Sequence, residues 1–227
     1  MAGALKQVRQ FINSALQVIY PSLCRTCDRI ILPQSVFCTA CIQEIKPIVS
    51  TFLPITSGMS MPVFAAGSYQ GPLKALVLRK FNGDMLASKQ LAHVMLATMP
   101  FDVINADLVI PVPLHWWRYA QRGYNQAVIM AKEIGKELKV PAYSMLVRSK
   151  RTSFQSRLDP EERRQNVFDA FALHPWHQFK GISNVQGKHV ILVDDLCTTG
   201  ATLMSAAKTL LPLKPASITA VVACRAV

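Results

Sequence analysis

The sequence predicts an α/β fold: a mostly parallel sheet flanked by helices, preceded by a small N-terminal four-cysteine module. Three observations carry this. Short apolar runs rich in β-branched residues, such as Val190 to Val193 and Leu108 to Ile110, are too uniformly apolar to have a solvent face, as expected of buried parallel strands. Stretches with helical spacing lie between the strands, and such alternation gives a sheet covered on both faces. Finally, four of the six cysteines fall into two pairs, Cys24-x-x-Cys27 and Cys38-x-x-Cys41.

In chain order, Met1 to Tyr20 places Leu5, Val8, Phe11, Ile12, Ala15, Leu16 and Ile19 at helical spacing, so an amphipathic helix is expected there. It either packs on the protein or lies on a membrane surface. Asn13, Ser14 and Gln17 interrupt the apolar block that a signal peptide would need. Thr51 to Pro62, with Pro54, Gly58 and Pro62, reads as a linker. Phe64 to Tyr69 is a short strand, and Pro72 opens a helix running to Lys80. A second helix spans Met85 to Met99 with an apolar stripe at Leu86, Leu91, Val94 and Met95, and His93 is read as a core residue on it. Asp107 to Pro113 is a buried strand with its prolines at the end. Tyr124 to Leu138 follows as a helix, Tyr143 to Val147 as a strand and Ala216 to Ala223 as the last strand, where Cys224 is a buried strand residue. The division expected is residues 1–50 for the helix and cysteine module, 51–62 for the linker and 63–227 for the α/β domain.

Two Cys-x-x-Cys pairs separated by ten residues offer four thiolates to one metal. With no signal peptide the expected compartment is reducing, which disfavours disulfides and favours structural zinc at Cys24, Cys27, Cys38 and Cys41. The gap is shorter than the commonest zinc-ribbon spacing, so an iron–sulfur centre or a redox pair stays open. The chain, 51% hydrophobic, is not a disordered protein, and no stretch has the length and apolarity of a transmembrane helix. A cytoplasmic location follows, with peripheral contact at the inner membrane as the variant that the N-terminal helix suggests. The net charge of +12 favours polyanions such as nucleic acid, nucleotides or acidic lipid. Eleven basic residues fall between Arg118 and Arg164, mixed with acids, a pattern that a solvated helix face also produces.

The segment Lys188 to Leu203, KHVILVDDLCTTGATL, says most about chemistry. An apolar strand ends in Asp194 and Asp195, a Thr-Thr-Gly turn follows, and Ala201, Leu203, Ala206, Ala207 and Leu210 have helical spacing. Thr198, Thr199, Gly200, Ala201 and Thr202 therefore cluster at a helix N-terminus, where unpaired N–H groups, hydroxyls and an open backbone suit a phosphate. The acids would repel that anion unless they face ribose hydroxyls or a metal held by the ligand. Cys197 is read as a filler. Ligands of such sheets bind at the carboxyl ends of the strands. Two further basic segments are expected at this crevice: His115, Arg118, Arg122, Gly123 and Asn125 after the Asp107 strand, and Arg148, Arg151, Gln155 and Arg164 in a long polar connection. Trp116, Trp117 and Tyr119 are read as core, with base stacking as the alternative.

The Asp194 segment resembles the phosphoribosyl pyrophosphate binding motif of type I phosphoribosyltransferases. The wider array resembles the ComF family: the paired Cys-x-x-Cys units, Tyr69-Gln-Gly-Pro-Leu-Lys74, Pro111-Val-Pro-Leu-His115 through Arg122-Gly-Tyr-Asn-Gln126, and Arg148-x-x-Arg151-Thr-x-x-Gln155 with Arg164-x-Asn166. The resemblance implies that Asp194 and Asp195 bind the ribose hydroxyls and Thr198 to Thr202 the 5′-phosphate. It further implies that the His115 loop binds pyrophosphate with magnesium, and that the Arg148 to Asn166 connection closes over the ligand. It also implies a place in natural competence, on the cytoplasmic side of DNA uptake and among other DNA-uptake proteins. Two function classes follow: a phosphoribosyltransferase with an unidentified acceptor, and a non-catalytic module that binds single-stranded DNA or a partner and keeps the pocket as a sensor.

Overall fold

In the computed structural model, residues 21–33, 35–46, 51–79, 84–101, 104–114, 119–120, 123–148, 170–175 and 185–226 are described. The expected N-terminal helix of residues 1–20 and most of the long polar connection lie outside them. Five strands form the main sheet in the order β1-β2-β7-β6-β3: β1 (Thr51–Thr56), β2 (Met59–Ser68), β3 (Leu108–Pro111), β6 (His189–Cys197) and β7 (Ser217–Arg225). Strands β2, β7, β6 and β3 are mutually parallel, and β1 pairs antiparallel with β2 at the edge.

Side-chain alternation along these strands feeds two cores. On one face Ile191, Val193, Val221 and Ala223 pack with α2 (Gly71–Arg79), α3 (Met85–Thr98) and α4 (Gln126–Leu138). On the other, Val190, Leu192, Ala220 and Val222 pack with α5 (Ala201–Leu210) and with a separate two-stranded sheet of β4 (Leu146–Arg148) and β5 (Phe171–Leu173). The described strands and helices thus form the mostly parallel sheet flanked by helices that the sequence predicts. Asp84 caps α3, accepting from the Ala87 N–H at 3.1 Å. Asn125 caps α4, accepting from the Ala127 N–H at 3.0 Å.

Several elements differ from expectation. Thr51 to Pro62, read as a linker, is β1 and the first part of β2. Pro54 is tolerated because β1 lies at the sheet edge, where a missing N–H interrupts no second ladder, and the pairing is irregular between Pro54 and Thr56; Pro62 lies in β2 just before Val63, where pairing with β7 begins. The strand expected over Tyr143 to Val147 divides. Ala142 makes a single bridge to Val109 of β3, and pairing resumes only at Leu146, with β5 as its partner. β6 does not stop before its acids but runs through them to Cys197. In α3 the buried stripe is Ala87, Ser88, Leu91, Ala92, Val94 and Met95. His93, read as core, is exposed, and so is Leu86; a residue two positions from Leu91 lies on the opposite side of a helix. Tyr119, also read as core, is exposed; Trp116 and Trp117 lie outside the described residues.

The cysteine module includes α1 (Thr39–Gln43). Cys24, Val36, Phe37 and Cys41 are buried in the same apolar cluster as α2 and α3. Lys46 O accepts from the Ser68 N–H at 3.0 Å, which ties the end of the module to the carboxyl end of β2. Gly67 permits this approach, because a Cβ there would lie 2.8 Å from Ile45 Cγ2 and 3.0 Å from Lys46 O.

A comparable close approach exists at Gly135 in α4, where a Cβ would fall 2.7 Å from Val140 O and 3.3 Å from the Ala142 side chain. Gly135→Val is expected to destabilise the protein by about 1–3 kcal/mol through overpacking. In a chain of this size that lowers Tm by about 2–4 °C per kcal/mol. Gly58→Ala, with nothing within 4 Å of the new methyl, should leave Tm unchanged in the same thermal denaturation experiment.

Candidate functional site

Because β2, β7, β6 and β3 are parallel, their carboxyl ends share one edge of the sheet, and the sequence motifs collect there. β6 is the strand on which they depend. It is paired on both sides, its residues Val190 to Val193 are buried, and Asp194 and Asp195 emerge half-buried at its end. The Asp195 N–H donates to Asp194 Oδ1 at 2.8 Å, which fixes that carboxylate against its own backbone. The chain then bends through Thr198 and Thr199, both exposed, and enters α5 at Gly200.

Gly200 is required twice over. Its φ of +78° is left-handed, and a Cβ would collide with the Leu53 side chain of β1. Among the described residues no side-chain cap hydrogen bond is made at Gly200; the Ala201 N–H makes a long 3.5 Å contact to Thr199 Oγ1. The first amides of α5 thus face the crevice beside three threonine side chains, an arrangement suited to a phosphate. Cys197 is 3% exposed, and burial pushes its thiol up against the opposing influence of Arg225, with Asp194 adding to the rise. A buried thiol with a raised pKa is a poor nucleophile, in keeping with the filler reading.

The second wall stands at the end of β3. The Val112 N–H donates to Val193 O at 2.9 Å. Asn125, besides capping α4, donates through Nδ2 to Val112 O at 3.1 Å and so holds the N-terminus of α4 against the β3 exit. Gly123 has a φ of +73° and open space around its Cα. Of the five candidates in this segment, Gly123 and Asn125 are placed here; His115, Arg118 and Arg122 lie outside the described residues. Arg148 ends β4 opposite Phe171 of β5, its guanidinium 5.4 Å from the centre of the Phe171 ring. That pairing brings together the two ends of the long polar connection, whose candidates Arg151, Gln155 and Arg164 also lie outside the described residues.

Two further residues belong at this edge: Gln126, which ends the segment that the sequence already brings to the crevice, and Arg225, which no sequence motif singles out. Gln126, in the first turn of α4, is 1% exposed, and its Nε2 has no hydrogen-bond partner among the described residues. Arg225 closes β7, paired with Cys197 on one side and Ser68 on the other, and its buried Nε likewise lacks a described partner. The only sequence signal for Arg225 is its position, a cation directly after a buried apolar run.

The four module cysteines form a separate centre. Their sulfurs all lie within 4.8 Å of one another, with Cys27 and Cys38 Sγ 3.6 Å apart. A tetrahedral Zn–S site with bonds of about 2.3 Å has sulfurs about 3.8 Å apart, so the spacing fits one such ion. The Cys38 N–H points at Cys24 Sγ at 3.3 Å and the Cys41 N–H at Cys38 Sγ at 3.5 Å. Burial opposes the Cys24 thiolate, but backbone hydrogen bonds from Cys27, Cys38 and Thr26 outweigh it and lower this thiol to about 6. The Cys41 backbone N–H lowers Cys38 as well. At Cys27 a backbone bond from Arg29 is outweighed by desolvation and the neighbouring thiols, which raise it; at Cys41 burial and the other three cysteines push the thiol up. Four thiolates this close repel one another unless a cation sits among them, and the donor set suits a divalent ion. No disulfide links the described cysteines.

Comparison with known proteins agrees with this architecture. The phosphoribosyl transferase domain family matches residues 124–226, from the start of α4 through β7. Competence protein F of Haemophilus influenzae is 33% identical over 151 residues, covering 63% of this chain and 64% of that protein. The match thus spans less than two thirds of that relative. Competence protein ComFC of Bacillus subtilis is 30% identical over 150 residues, covering 63% of this chain and 55% of that one. DNA utilization protein YhgH of Escherichia coli O157:H7 is 26% identical over 219 residues, covering 89% of this chain and 90% of its own. A parallel sheet with an acid pair and a phosphate-type turn at its carboxyl edge, a four-cysteine module packed on the same core, and these relatives together support the resemblance to the ComF family, with a match to the phosphoribosyl transferase domain over residues 124–226.

Proposed function

We propose that this protein binds phosphoribosyl pyrophosphate together with magnesium and transfers its ribosyl phosphate to an acceptor, in the handling of incoming DNA on the cytoplasmic side of the membrane. The observation that carries this reading is the continuity of β6 into α5, where two carboxylates are followed at once by an uncapped helix N-terminus with a left-handed glycine. In this reading Asp194 and Asp195 accept hydrogen bonds from the ribose hydroxyls. Amides and hydroxyls from Thr198 to Thr202 donate to the 5′-phosphate. Asn125 holds the α4 N-terminus facing the pyrophosphate, and Gln126 Nε2 offers a donor on the same side. Arginines of the His115 segment and of the connection beyond Arg148 offset the charge that develops as pyrophosphate leaves. Magnesium bound with the ligand supplies further neutralisation.

The role in DNA handling rests on the names of the relatives and on the net charge of +12. The same charge favours a second reading, in which the pocket senses ligand while a basic surface holds single-stranded DNA. No described helix is long and apolar enough to cross a membrane; the proposed location is cytoplasmic, with the segment of residues 1–20 as the candidate for peripheral contact with the inner membrane. The metal proposed for the cysteine centre is structural zinc, since all four positions are filled by protein sulfur.

Calorimetry with phosphoribosyl pyrophosphate is expected to show magnesium-dependent binding that the double variant Asp194→Asn with Asp195→Asn weakens by about a hundredfold or more, since hydrogen bonds to charged groups contribute about 1.5–3 kcal/mol each. Undiminished binding by the folded variant would remove the acids from the pocket. Elemental analysis should find one zinc per chain, and none in Cys24→Ser. Because Cys24 shares its cluster with α2 and α3, zinc loss should lower the Tm of the whole domain. Iron in that analysis would replace the zinc assignment. For DNA, anisotropy on single strands should show affinity falling with salt, with a slope of about −0.7 per phosphate contact. Pyrophosphate release with no DNA binding even at low salt would leave the enzyme reading alone.

A further inference from the structure

We infer that Leu53 of β1 is a positioning residue for the phosphate turn: it holds the backbone at Gly200, and through it the amides and hydroxyls of Thr198 to Thr202, in the shape that receives a phosphate. The inference rests on the pocket reading above and names what keeps that part of the pocket in place. The turn has few polar ties of its own among the described residues. Thr198 and Thr199 are exposed, and the contact from the Ala201 N–H to Thr199 Oγ1 is long. Shorter hydrogen bonds flank the turn: the Ala226 N–H donates to Cys197 O at 2.9 Å before it, and the Met204 N–H donates to Gly200 O at 2.9 Å after it.

Leu53 supplies an apolar contact from the side. A Cβ on Gly200 would lie 2.8 Å from Leu53 Cδ2 and closer still to Cδ1, so the leucine fills the space that any other residue's side chain would need there. Two strands keep it in that place. Leu53 is paired with Met61 across β1 and β2, and directly opposed residues of an antiparallel pair put their side chains on one face. Met61, Val63 and Ile55 are buried in the cluster that contains Leu203 of α5, whereas Phe52 and Pro54, alternating with Leu53 and Ile55, are exposed. Register therefore decides which side chain of β1 meets the turn. A slip of one residue would bring Phe52 or Pro54 to that face and turn Ile55 out. Donors to a phosphate must be held close to their working positions by the packing around them, so a leucine with no polar group still governs how well this turn grips an anion.

The test uses the full chain, titrated with phosphoribosyl pyrophosphate and magnesium, with amide hydrogen exchange followed in the absence of ligand. Leu53→Ala is expected to weaken ligand binding by about tenfold or more. It should also speed exchange at the Met204 amide, which bonds to Gly200 O, while Val190 to Val193 of the doubly paired β6 stay protected. Leu53→Met, close in volume, should restore both readouts, and Phe52→Ala on the exposed side of the same strand should move neither. Should Leu53→Ala fail to fold, Leu53→Val is read in the same way, with smaller changes of the same sign. Undiminished binding, unchanged exchange at Met204, exchange that rises through β6 as well, or loss that Leu53→Met does not restore would overturn the positioning role alone. A parent protein that does not bind phosphoribosyl pyrophosphate would overturn the pocket reading and the ligand role of Leu53 with it, and the exchange comparison would still decide whether Leu53 holds the turn.

Discussion

β6 is hydrogen-bonded along both edges, to β3 and to β7, and its residues Val190 to Val193 are buried on both faces. This pairing positions nearly everything else. A strand so constrained has few ways to shift, since a register slip of one residue would exchange its two apolar faces. Its end therefore presents Asp194 and Asp195 at a fixed height beside the β3 exit, and α5 must begin immediately after it. The helix packs back on the sheet through Leu203, Ala206, Ala207 and Leu210, and Gly200 can make that turn because it tolerates both the left-handed backbone and the pressure of Leu53.

The features legible in the sequence were those with local causes. β6, its acid pair, the phosphate-type turn and α5 announce themselves by a buried run, a glycine and helical spacing within one short segment. The paired cysteines are equally local, and the structure brings their sulfurs together. Features that depend on distant partners were hidden. The segment of β1 and early β2 reads as a linker because Pro54, Gly58 and Pro62 are turn residues; Gly58 does sit in the turn between the two strands, Pro54 is acceptable because β1 is the edge, and Pro62 precedes the pairing of β2 with β7. β5 exists because Phe171 meets Arg148 across a long connection, a pairing no short-range pattern encodes. His93 was drawn onto the apolar stripe by its apolar neighbours, yet the stripe follows Leu91, Val94 and Met95 and leaves it outside.

Arg225 shows the same limit at the site itself. In sequence it is one more cation in a basic chain. Three-dimensional pairing makes it distinctive, by setting it between the end of β6 and the end of β2 with a buried nitrogen that nothing described satisfies. Gln126 is comparable: its burial becomes visible only when Asn125 ties the helix start to Val112.

The bond from the Ser68 N–H to Lys46 O gives the cysteine module a mechanical role. The module ends where β2 ends, and β2 is the strand that borders β7. A metal held by the four cysteines would therefore act as a clamp on the end of β2, through the tie from Lys46 to Ser68, at the opposite side of β7 from the acids. Chelation would first loosen that strand end, while the doubly paired β6 keeps its shape.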